Sequence, residues 1–180
     1  MPPEEQWQTY FDPISILTTL GLTADCRCVV DCGCGYGTFT LPAARIVRRE
    51  VHALDIDSEM IRITRESATR EGLRNVQASQ RDFVENGFGL ATGAAEFVML
   101  FNILHAEEAP LMLRETRRVL SPTGRLAVIH WNYDPATPRG PSMAIRLTPE
   151  RCREIVRDAG FTVGPFVDLP PYHYGFTGTT

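Results

Sequence analysis

Short apolar runs alternate with longer amphipathic segments along most of the chain. Five runs have the length and composition of strands, and they cover residues 28–32, 51–55, 75–80, 95–101 and 125–131. The segments between them have helical periodicity and predict helices over about residues 36–48, 57–70, 107–120 and 148–160. Strands that alternate with helices predict an α/β fold, a three-layer Rossmann-like sandwich around a mostly parallel sheet.

Local signals mark the ends of these helices. Asp57 or Ser58 can cap the second helix, and Gly72 can end it. Pro42 is tolerable in the first helix only within its first turn, where no amide donor is needed. The fourth helix begins at the cap Thr148, and its apolar residues recur at helical spacing: Cys152, Ile155, Val156 and Ala159.

The remaining segments read as turns, a loop and two further strands. Residues 121–124, SPTG, predict a turn before the fifth strand. Residues 132–147 contain three prolines and a glycine and predict an irregular, mobile loop. The tail predicts two antiparallel strands around Pro170–Pro171. No repeat or long linker interrupts the chain, so residues 1–180 are predicted to form one domain.

Composition and charge narrow the range of functions. The net charge is −4 and no basic stripe is present, which argues against a nucleic-acid partner. All 18 basic residues are arginine, and the absence of lysine excludes Schiff-base and P-loop lysine chemistry. No apolar run is long enough to cross a bilayer, and the N-terminus lacks an export pattern. We therefore expect no membrane partner and a cytoplasmic location.

Four of the five cysteines lie close together and raise the question of a zinc site. They are Cys26, Cys28, Cys32 and Cys34. Residues spaced by two on a strand share one face and cannot surround a tetrahedral ion without a turn. We interpret these cysteines as small buried apolar side chains and expect no bound metal.

The sequence VVDCGCGYGTFT at residues 29–40 places Gly33, Gly35 and Gly37 directly after the first predicted strand. Glycine lets a ligand lie on the backbone, and we expect the amides of this loop to point outward at a helix N-terminus. Asp55 ends the second predicted strand, 22 positions after Gly33, where an acid can accept from both hydroxyls of a ribose. Together these features predict a ligand that contains adenosine.

The spacing of the glycines distinguishes two such ligands. A dinucleotide fingerprint has its third glycine at position six, which is Thr38 here, whereas the third glycine falls at position five. Asp31 would lie unfavourably near a pyrophosphate but suits a ligand that carries an ammonium and a sulfonium. S-adenosylmethionine is therefore favoured. The alternatives are an NAD(P)-dependent Rossmann oxidoreductase and a non-catalytic adenosine-ligand-binding module.

The chain resembles the class I S-adenosylmethionine-dependent methyltransferases, specifically their small-molecule "methyltransferase domain" group. The matching sequences are VVDCGCGYGTFT, VHALDIDSEM (51–60), RDF (81–83) and LRETRRVLSPTGRLAVIHW (113–131), and the resemblance covers about residues 28–175. Cys32 and Thr123 depart from the family pattern, which usually has an aliphatic residue and a glycine there. The resemblance implies seven strands in the order 3-2-1-4-5-7-6, with strand 7 antiparallel.

The resemblance also implies a cofactor-binding set along the carboxyl ends of the strands: Asp31, Gly33, Cys34, Gly35, Gly37, Asp55, Ile56, Asp82, Phe83 and Asn102. Asp31 and the glycine loop would hold the methionine part, and Asp55 would hold the ribose. Ile56, Asp82 and Phe83 would contact the adenine, and Asn102 would lie beside the reactive methyl group. Without the resemblance, Asp55 could cap a helix and Asp82 could be an exposed loop acid.

Methyl transfer from a sulfonium is an in-line displacement, and it needs a base only if the nucleophile carries a proton. His105 follows the fourth strand and His130 ends the fifth, so both are candidate bases, and each is equally compatible with a packing role. Residues 1–22 are a candidate lid because Trp7 and the aromatic residues after it are costly to expose. The alternative is a helix end packed on the core.

The acceptor is predicted to be a small molecule. The fourth strand ends in FNILH rather than the Asn/Asp-Pro-Pro-aromatic sequence of enzymes that methylate nucleic-acid amino groups, and no Pro-Cys dipeptide offers a cytosine-C5 nucleophile. Asn102 stands where a metal-dependent catechol-type enzyme would have an acid. The pocket would be formed by the N-terminus, the loop 132–147 and the last hairpin. The oligomeric state is left open.

Overall fold

The centre of the computed structural model, which describes residues 3–180, is a sheet of eight strands. In chain order the strands are β1 (Cys28–Cys32), β2 (Glu50–Asp55), β3 (Val76–Gln80), β4 (Ala95–Phe101), β5 (Leu120–Trp131), β6 (Thr162–Val163), β7 (Val167–Leu169) and β8 (His173–Thr179). Residues 1 and 2 of the predicted domain and lid lie outside the described residues.

The strands are arranged in the order β3-β2-β1-β4-β5-β8-β6, and β7 also pairs with β8. The first five strands are parallel, whereas β8 is antiparallel to β5, β6 and β7. This confirms the predicted order with an antiparallel strand inserted before the edge. The described residues contain eight strands rather than seven, because the chain between α6 and β8 forms two short strands on β8 instead of one.

Six helices accompany the sheet in residues 3–180: α1 (Glu4–Gln8), α2 (Pro13–Thr19), α3 (Thr40–Ile46), α4 (Ser58–Arg70), α5 (Ala109–Val119) and α6 (Pro149–Asp158). The predicted caps are confirmed. The Asp57 side chain accepts from Glu59 N at 2.8 Å, and the Thr148 side chain accepts from Arg151 N at 3.2 Å. None of these helices combines the length and hydrophobicity that a bilayer crossing requires.

Two local predictions were wrong. The helix after β1 begins at Thr40 rather than Tyr36, because Gly35 and Gly37 have positive φ angles of 53° and 80° that an α-helix cannot contain. The predicted turn at residues 121–124 lies inside β5 as a bulge, since Leu120 pairs with Ala95 and Arg125 already pairs with Phe97.

Alternating side chains of the strands form a separate apolar core on each face of the sheet. On one face the strand residues pack against α5 and α6, and on the other they pack against α2 and α3. β4 contributes to both cores, since Val98 and Leu100 face one way and Phe97 and Met99 the other. These four side chains are at most 1% exposed, as expected for a strand covered on both faces.

The N-terminal segment is only partly separate from this core. Tyr10 and Phe11 are buried, and their rings lie 5.5 Å from Trp131 and 5.1 Å from Phe39. The chain from residue 10 through α2 is therefore part of the packed structure, whereas α1 has no buried residue and contacts the core through the half-buried Trp7.

Asn75 stabilises the turn between α3 and β2, although it is distant from that turn in the sequence. Its Nδ2 lies 2.9–3.1 Å from the carbonyl oxygens of Ala44, Val47 and Arg49. We predict that Asn75→Ala lowers the free energy of unfolding by about 1–3 kcal/mol, because it leaves these carbonyls without their donor. Urea unfolding measures this. The exposed Gln77→Ala, two residues further along on β3, should change stability by much less, and equal effects would contradict the role of Asn75.

Candidate cofactor and acceptor site

Three glycines shape the turn between β1 and α3. Gly33, Gly35 and Gly37 have φ angles of 75°, 53° and 80°, in the left-handed region that other residues rarely adopt. A Cβ atom at Gly37 would come within 3.1 Å of the Thr64 hydroxyl, so this glycine also allows α4 to pack closely. A Cβ at Gly33 would meet only a methyl group of Ile103, at 3.4 Å, which leaves its outer side open to a ligand.

The amides of Gly33, Cys34 and Gly35 bond within the protein, so the prediction that the loop amides point outward was wrong for these three. Gly33 N and Cys34 N donate to Leu54 O at 2.8 and 3.0 Å, and Gly35 N donates to Asp55 Oδ2 at 2.9 Å. The end of β2 runs alongside the loop and supplies these acceptors. The loop therefore offers a ligand close approach to bare backbone rather than a set of unpaired donors.

A narrow cleft opens beside the loop and brings together five of the predicted cofactor residues. It is lined by Asp31, Gly33, Cys34, Gly35 and Asn102, together with Trp7, Thr38, Phe39 and Phe101. It encloses about 30 Å³, far less than the roughly 300–1,000 Å³ of pockets that hold small ligands. Trp7 comes from α1, which has no buried residue, so an outward movement of α1 would enlarge the cleft.

Asp31 is a buried carboxyl group in the wall of this cleft. It is 3% exposed, and its Oδ2 accepts from the Thr40 hydroxyl at 2.6 Å. Burial raises the pKa of Asp31 to about 7; the Thr40 hydrogen bond opposes this rise and the negative charge of Asp55 adds to it. No cationic side chain of residues 3–180 forms an ion pair with Asp31. The site is therefore complementary to a cationic group of a ligand.

Asp55 and Ile56 follow β2, the next strand along the edge. The Asp55 carboxylate accepts from Gly35 N through Oδ2 and from Asp57 N through Oδ1 at 3.0 Å, which fixes it beside the loop. Asp57, not Asp55, caps α4. Ile56 is 62% exposed, so an apolar side chain faces solvent at the edge where ligands bind in this fold.

Asp82 and Phe83 lie beyond β3, outside the cleft but on the same edge. Arg81 N donates to Asp55 O at 2.7 Å and so joins this segment to the end of β2. Asp82 Oδ1 accepts from two following backbone amides at 3.1 Å, which organises a turn. The half-buried Phe83 packs edge-on against Phe88, with ring centroids 6.1 Å apart.

Asn102 follows β4 in a left-handed conformation that is uncommon for residues other than glycine, although asparagine adopts it more often than most. Its φ angle is 59°, and its amide donates to Ile129 O at 2.8 Å. Its Oδ1 is buried and has no hydrogen-bond partner among the described residues. Such a backbone conformation is concentrated at functional sites, and the unpaired oxygen is an acceptor in the wall of the cleft.

The two predicted histidines are neighbours. The His105 and His130 rings meet edge to face with centroids 5.6 Å apart. Burial is the main cause that lowers the pKa of His130 to about 4, with His105 adding to the effect, and burial also lowers the pKa of His105. His130 is fully enclosed and neither ring nitrogen has a partner among residues 3–180, whereas His105 is partly exposed.

His173 on β8 is a third buried histidine, with its ring 4.2 Å from Trp131. Burial lowers its pKa to about 3. Within residues 3–180, no group of three or more histidine, cysteine or acidic side chains has the geometry to hold a metal ion.

Comparison with known proteins identifies the family. A family model described as "Methyltransferase domain" matches residues 29–124, more than half of the chain. The chain belongs to the methyltransferase domain family. The resemblance to class I S-adenosylmethionine-dependent methyltransferases is thereby confirmed.

Individual relatives agree with this. The crystal structure of a SAM-dependent methyltransferase from Aquifex aeolicus superposes with a TM-score of 0.86 at 27% identity, over 97% of this chain and 92% of that one. Aklanonic acid methyltransferase DauC from Streptomyces sp. (strain C5) is 32% identical over 106 residues, 55% of this chain and 46% of that protein. A 23S rRNA (uracil(1939)-C(5))-methyltransferase RlmD from Xanthomonas euvesicatoria is 41% identical over 58 residues, 32% of this chain and 13% of that protein. The chain spans less than half the length of these curated relatives.

Two side chains that sequence reasoning did not identify, Thr40 and Thr64, and a third whose position it did not predict, Trp7, complete the geometry of this methyltransferase domain. The Thr40 hydroxyl holds Asp31, and the Thr64 hydroxyl donates to Gly35 O at 2.8 Å. Trp7 was noted as part of a candidate lid, but its place in the cleft was not predicted. Thr64 is 29 residues from Gly35, so no local pattern connects them.

The raised pKa of Asp31 predicts a pH-dependent cost in the ligand-free protein. A rise from 3.8 to about 7 corresponds to ~4 kcal/mol of stability that is present below pH 3.8 and lost as the pH rises through 7. We predict that Asp31→Asn is more stable than the wild type at pH 8, by up to that amount. The two proteins should converge near pH 4. Urea unfolding at both pH values measures this, and a variant that is less stable at pH 8 would contradict it.

Proposed function

We propose that the protein transfers the methyl group of S-adenosylmethionine to a small-molecule acceptor. The observation that carries the proposal is the buried carboxyl of Asp31, which has no ion-pair partner among residues 3–180 and lies beside a loop of three glycines in left-handed conformations, in a chain of the methyltransferase domain family. A carboxylate at that position attracts the ammonium and the sulfonium of this cofactor, and the glycines allow it to lie against the backbone.

The cofactor would extend along the carboxyl edge from β4 to β3. Asp31 and the backbone from Gly33 to Gly37 would hold the methionine part, beside Asn102. The Asp55 carboxylate would accept from both ribose hydroxyls, because each of its oxygens can take a second hydrogen bond besides those from Gly35 and Asp57. Adenine would cover the exposed Ile56, next to the turn that carries Asp82 and Phe83.

The chemistry would rest mainly on alignment and on exclusion of water. The cofactor supplies an activated methyl group, and the protein holds it in line with the nucleophile. His105 is the better placed of the two candidate bases, because it is partly exposed at the end of β4. Its lowered pKa keeps it neutral near pH 7, so it can accept a proton from the acceptor. The buried His130 ring would hold the His105 ring in place through their edge-to-face contact.

Two observations support a small acceptor rather than a nucleic acid. The net charge of −4 opposes the attraction of a phosphate backbone. The cleft lies under α1 and is lined by aromatic rings, which would exclude a base held in a duplex but suit a compact apolar molecule. The longer alignment with DauC, an aklanonic acid methyltransferase by name, favours the same class.

The lid predicted for residues 1–22 would be confined to α1. Tyr10 and Phe11 belong to the core, so a larger movement would expose buried aromatic surface. Trp7 faces the cleft from this short helix, and its ring contacts Trp131 at 6.2 Å. We therefore infer that α1 opens to admit the cofactor and closes Trp7 over it.

Calorimetry with S-adenosylhomocysteine, and separately with NAD⁺, tests the cofactor, and a screen of metabolite pools for S-adenosylhomocysteine release tests the reaction.

We expect Asp55→Asn to weaken S-adenosylhomocysteine binding by about tenfold or more, because the ribose loses charge-assisted hydrogen bonds. Asparagine keeps an oxygen that can accept from Gly35 N, so the loop should stay intact.

Asp57→Asn is the matched control, because Asp57 lies two residues away and acts as the cap of α4. It should leave the affinity within about twofold, since asparagine is also a good cap. Wild-type protein that ignores both S-adenosylmethionine and S-adenosylhomocysteine at millimolar concentration, or prefers NAD⁺, would refute the proposed function.

The lid predicts a separate effect of Trp7→Ala. We expect faster dissociation of S-adenosylhomocysteine, by about tenfold, because Trp7 covers the cleft, and a lower melting temperature, because the Trp7 ring also packs against Phe11 and Trp131. Stopped-flow measurement of dissociation provides the test. Removal of residues 1–13 is unsuitable because it would also delete Tyr10 and Phe11. An unchanged dissociation rate would remove the lid.

A further inference from the structure

Arg146 is a buried cation that organises an irregular loop. It is 9% exposed and lies near the end of the segment 132–147, which is irregular as predicted. No acidic side chain of residues 3–180 forms an ion pair with it. A buried guanidinium is costly unless its donors are satisfied, so its hydrogen bonds define its role.

The guanidinium binds the loop itself. All three of its nitrogens donate, and the five acceptors are Asn132 O, Asp134 O, the Thr137 hydroxyl, Arg139 O and Pro141 O, with the carbonyl contacts at 2.9–3.1 Å. These acceptors span ten residues with no helix or strand among them. One side chain thus supplies the donors that backbone amides provide in a helix or sheet, so the segment is irregular but ordered by Arg146.

This loop is joined directly to the two tryptophans of the chain. It begins at Asn132, immediately after Trp131, and Asn132 N donates to Tyr172 O at 2.8 Å. A Cβ atom at Gly140 would come within 2.7 Å of Arg146 Nη2 and 2.9 Å of Trp131 Cγ, so the bare backbone of Gly140 is enclosed between them. Trp131 in turn contacts Trp7, the residue that covers the cleft.

A second contact connects the loop to α1. Arg139 Nη2 lies 3.4 Å from Gln6 Oε1, on the helix that carries Trp7. The same segment also carries two exposed apolar side chains, Tyr133 at 49% and Ile145 at 53%. The loop, α1 and the end of β5 are therefore joined into one continuous wall, and Trp7 is the residue of this wall that lines the cleft.

We propose that Arg146 is a positioning residue for the methyl acceptor. By gathering the carbonyls of residues 132–141 it fixes the wall formed by this loop, Trp131 and Trp7, against which the acceptor is held in line with the methyl group. The inference rests on the proposed function. Arg146 forms no hydrogen bond with Asp31, the glycine loop or Asn102, so its removal should affect the acceptor more strongly than the cofactor.

The variants Arg146→Met and Arg146→Lys test this role. Methionine removes every donor, and lysine keeps the charge but lacks the planar fork that reaches five acceptors. Gly140→Ala is an independent third variant, because its Cβ would push Arg146 away from Trp131. The matched control is Arg151→Met, on α6, where the exposed arginine pairs only with Glu154 at 3.1 Å among residues 3–180.

The first readout is the near-ultraviolet circular dichroism of the ligand-free protein. Both tryptophans lie in the wall, so their signal reports its packing without cofactor or acceptor. We expect the three wall variants to lose roughly half or more of the tryptophan signal while the far-ultraviolet spectrum is retained. The control should keep both spectra. Wall variants that only melt earlier, with the near-ultraviolet spectrum intact, would overturn the proposal.

The second readout separates the acceptor from the cofactor. We expect the KM of the acceptor found by the release screen to rise about tenfold or more, and the calorimetric Kd of S-adenosylhomocysteine to change less than it does in Trp7→Ala, because the Arg146 variants keep the Trp7 ring that covers the cofactor. An unchanged KM overturns the role of Arg146. Wild-type protein that fails to bind S-adenosylhomocysteine refutes the proposed function instead, and the near-ultraviolet result then still decides whether Arg146 holds the wall.

Discussion

The site depends on the hydrogen bonds between the glycine loop and the end of β2. Leu54 O accepts two loop amides, and the Asp55 carboxylate accepts a third. These bonds hold the chain in left-handed conformations that only glycine adopts without strain. They delay the start of α3 to Thr40, bring the Thr40 hydroxyl onto Asp31, and place the ribose-binding candidate and the loop in one rigid unit.

Asp31 and the two candidate histidines differ in their charge. Asp31 is a buried carboxyl in the cleft without an ion-pair partner among residues 3–180, so a cationic ligand would stabilise its ionised form. His105 and His130 do not line the cleft, and burial disfavours their protonated forms. Under the proposed function, Asp31 would attract the positively charged cofactor, and a neutral His105 would accept a proton from the acceptor.

The sequence predicted those parts of the fold that depend on local patterns. The period of apolar residues located β1 to β5, and side-chain caps located α4 and α6, because both signals act within a few residues. The errors came from distant partners. The orientation of the loop amides depends on Leu54, and the bulge at residues 121–124 depends on pairing with β4. The hold of Arg146 on its loop needed five acceptors that no spacing rule connects. The cleft gathered Asp31, Gly33, Cys34, Gly35 and Asn102 as the resemblance implied, because those residues follow adjacent parallel strands.

The small volume under Trp7 has a kinetic consequence. The methionine part of the cofactor would not fit into about 30 Å³, so under the proposed function the conformation described would not be the one that first meets the cofactor. Association would then proceed through a minor open population, and the apparent affinity would be lowered by the fraction of molecules that are open. At high ligand concentration the observed association rate would level off at the rate at which α1 opens. The movement of this five-residue helix would then limit the rate of binding.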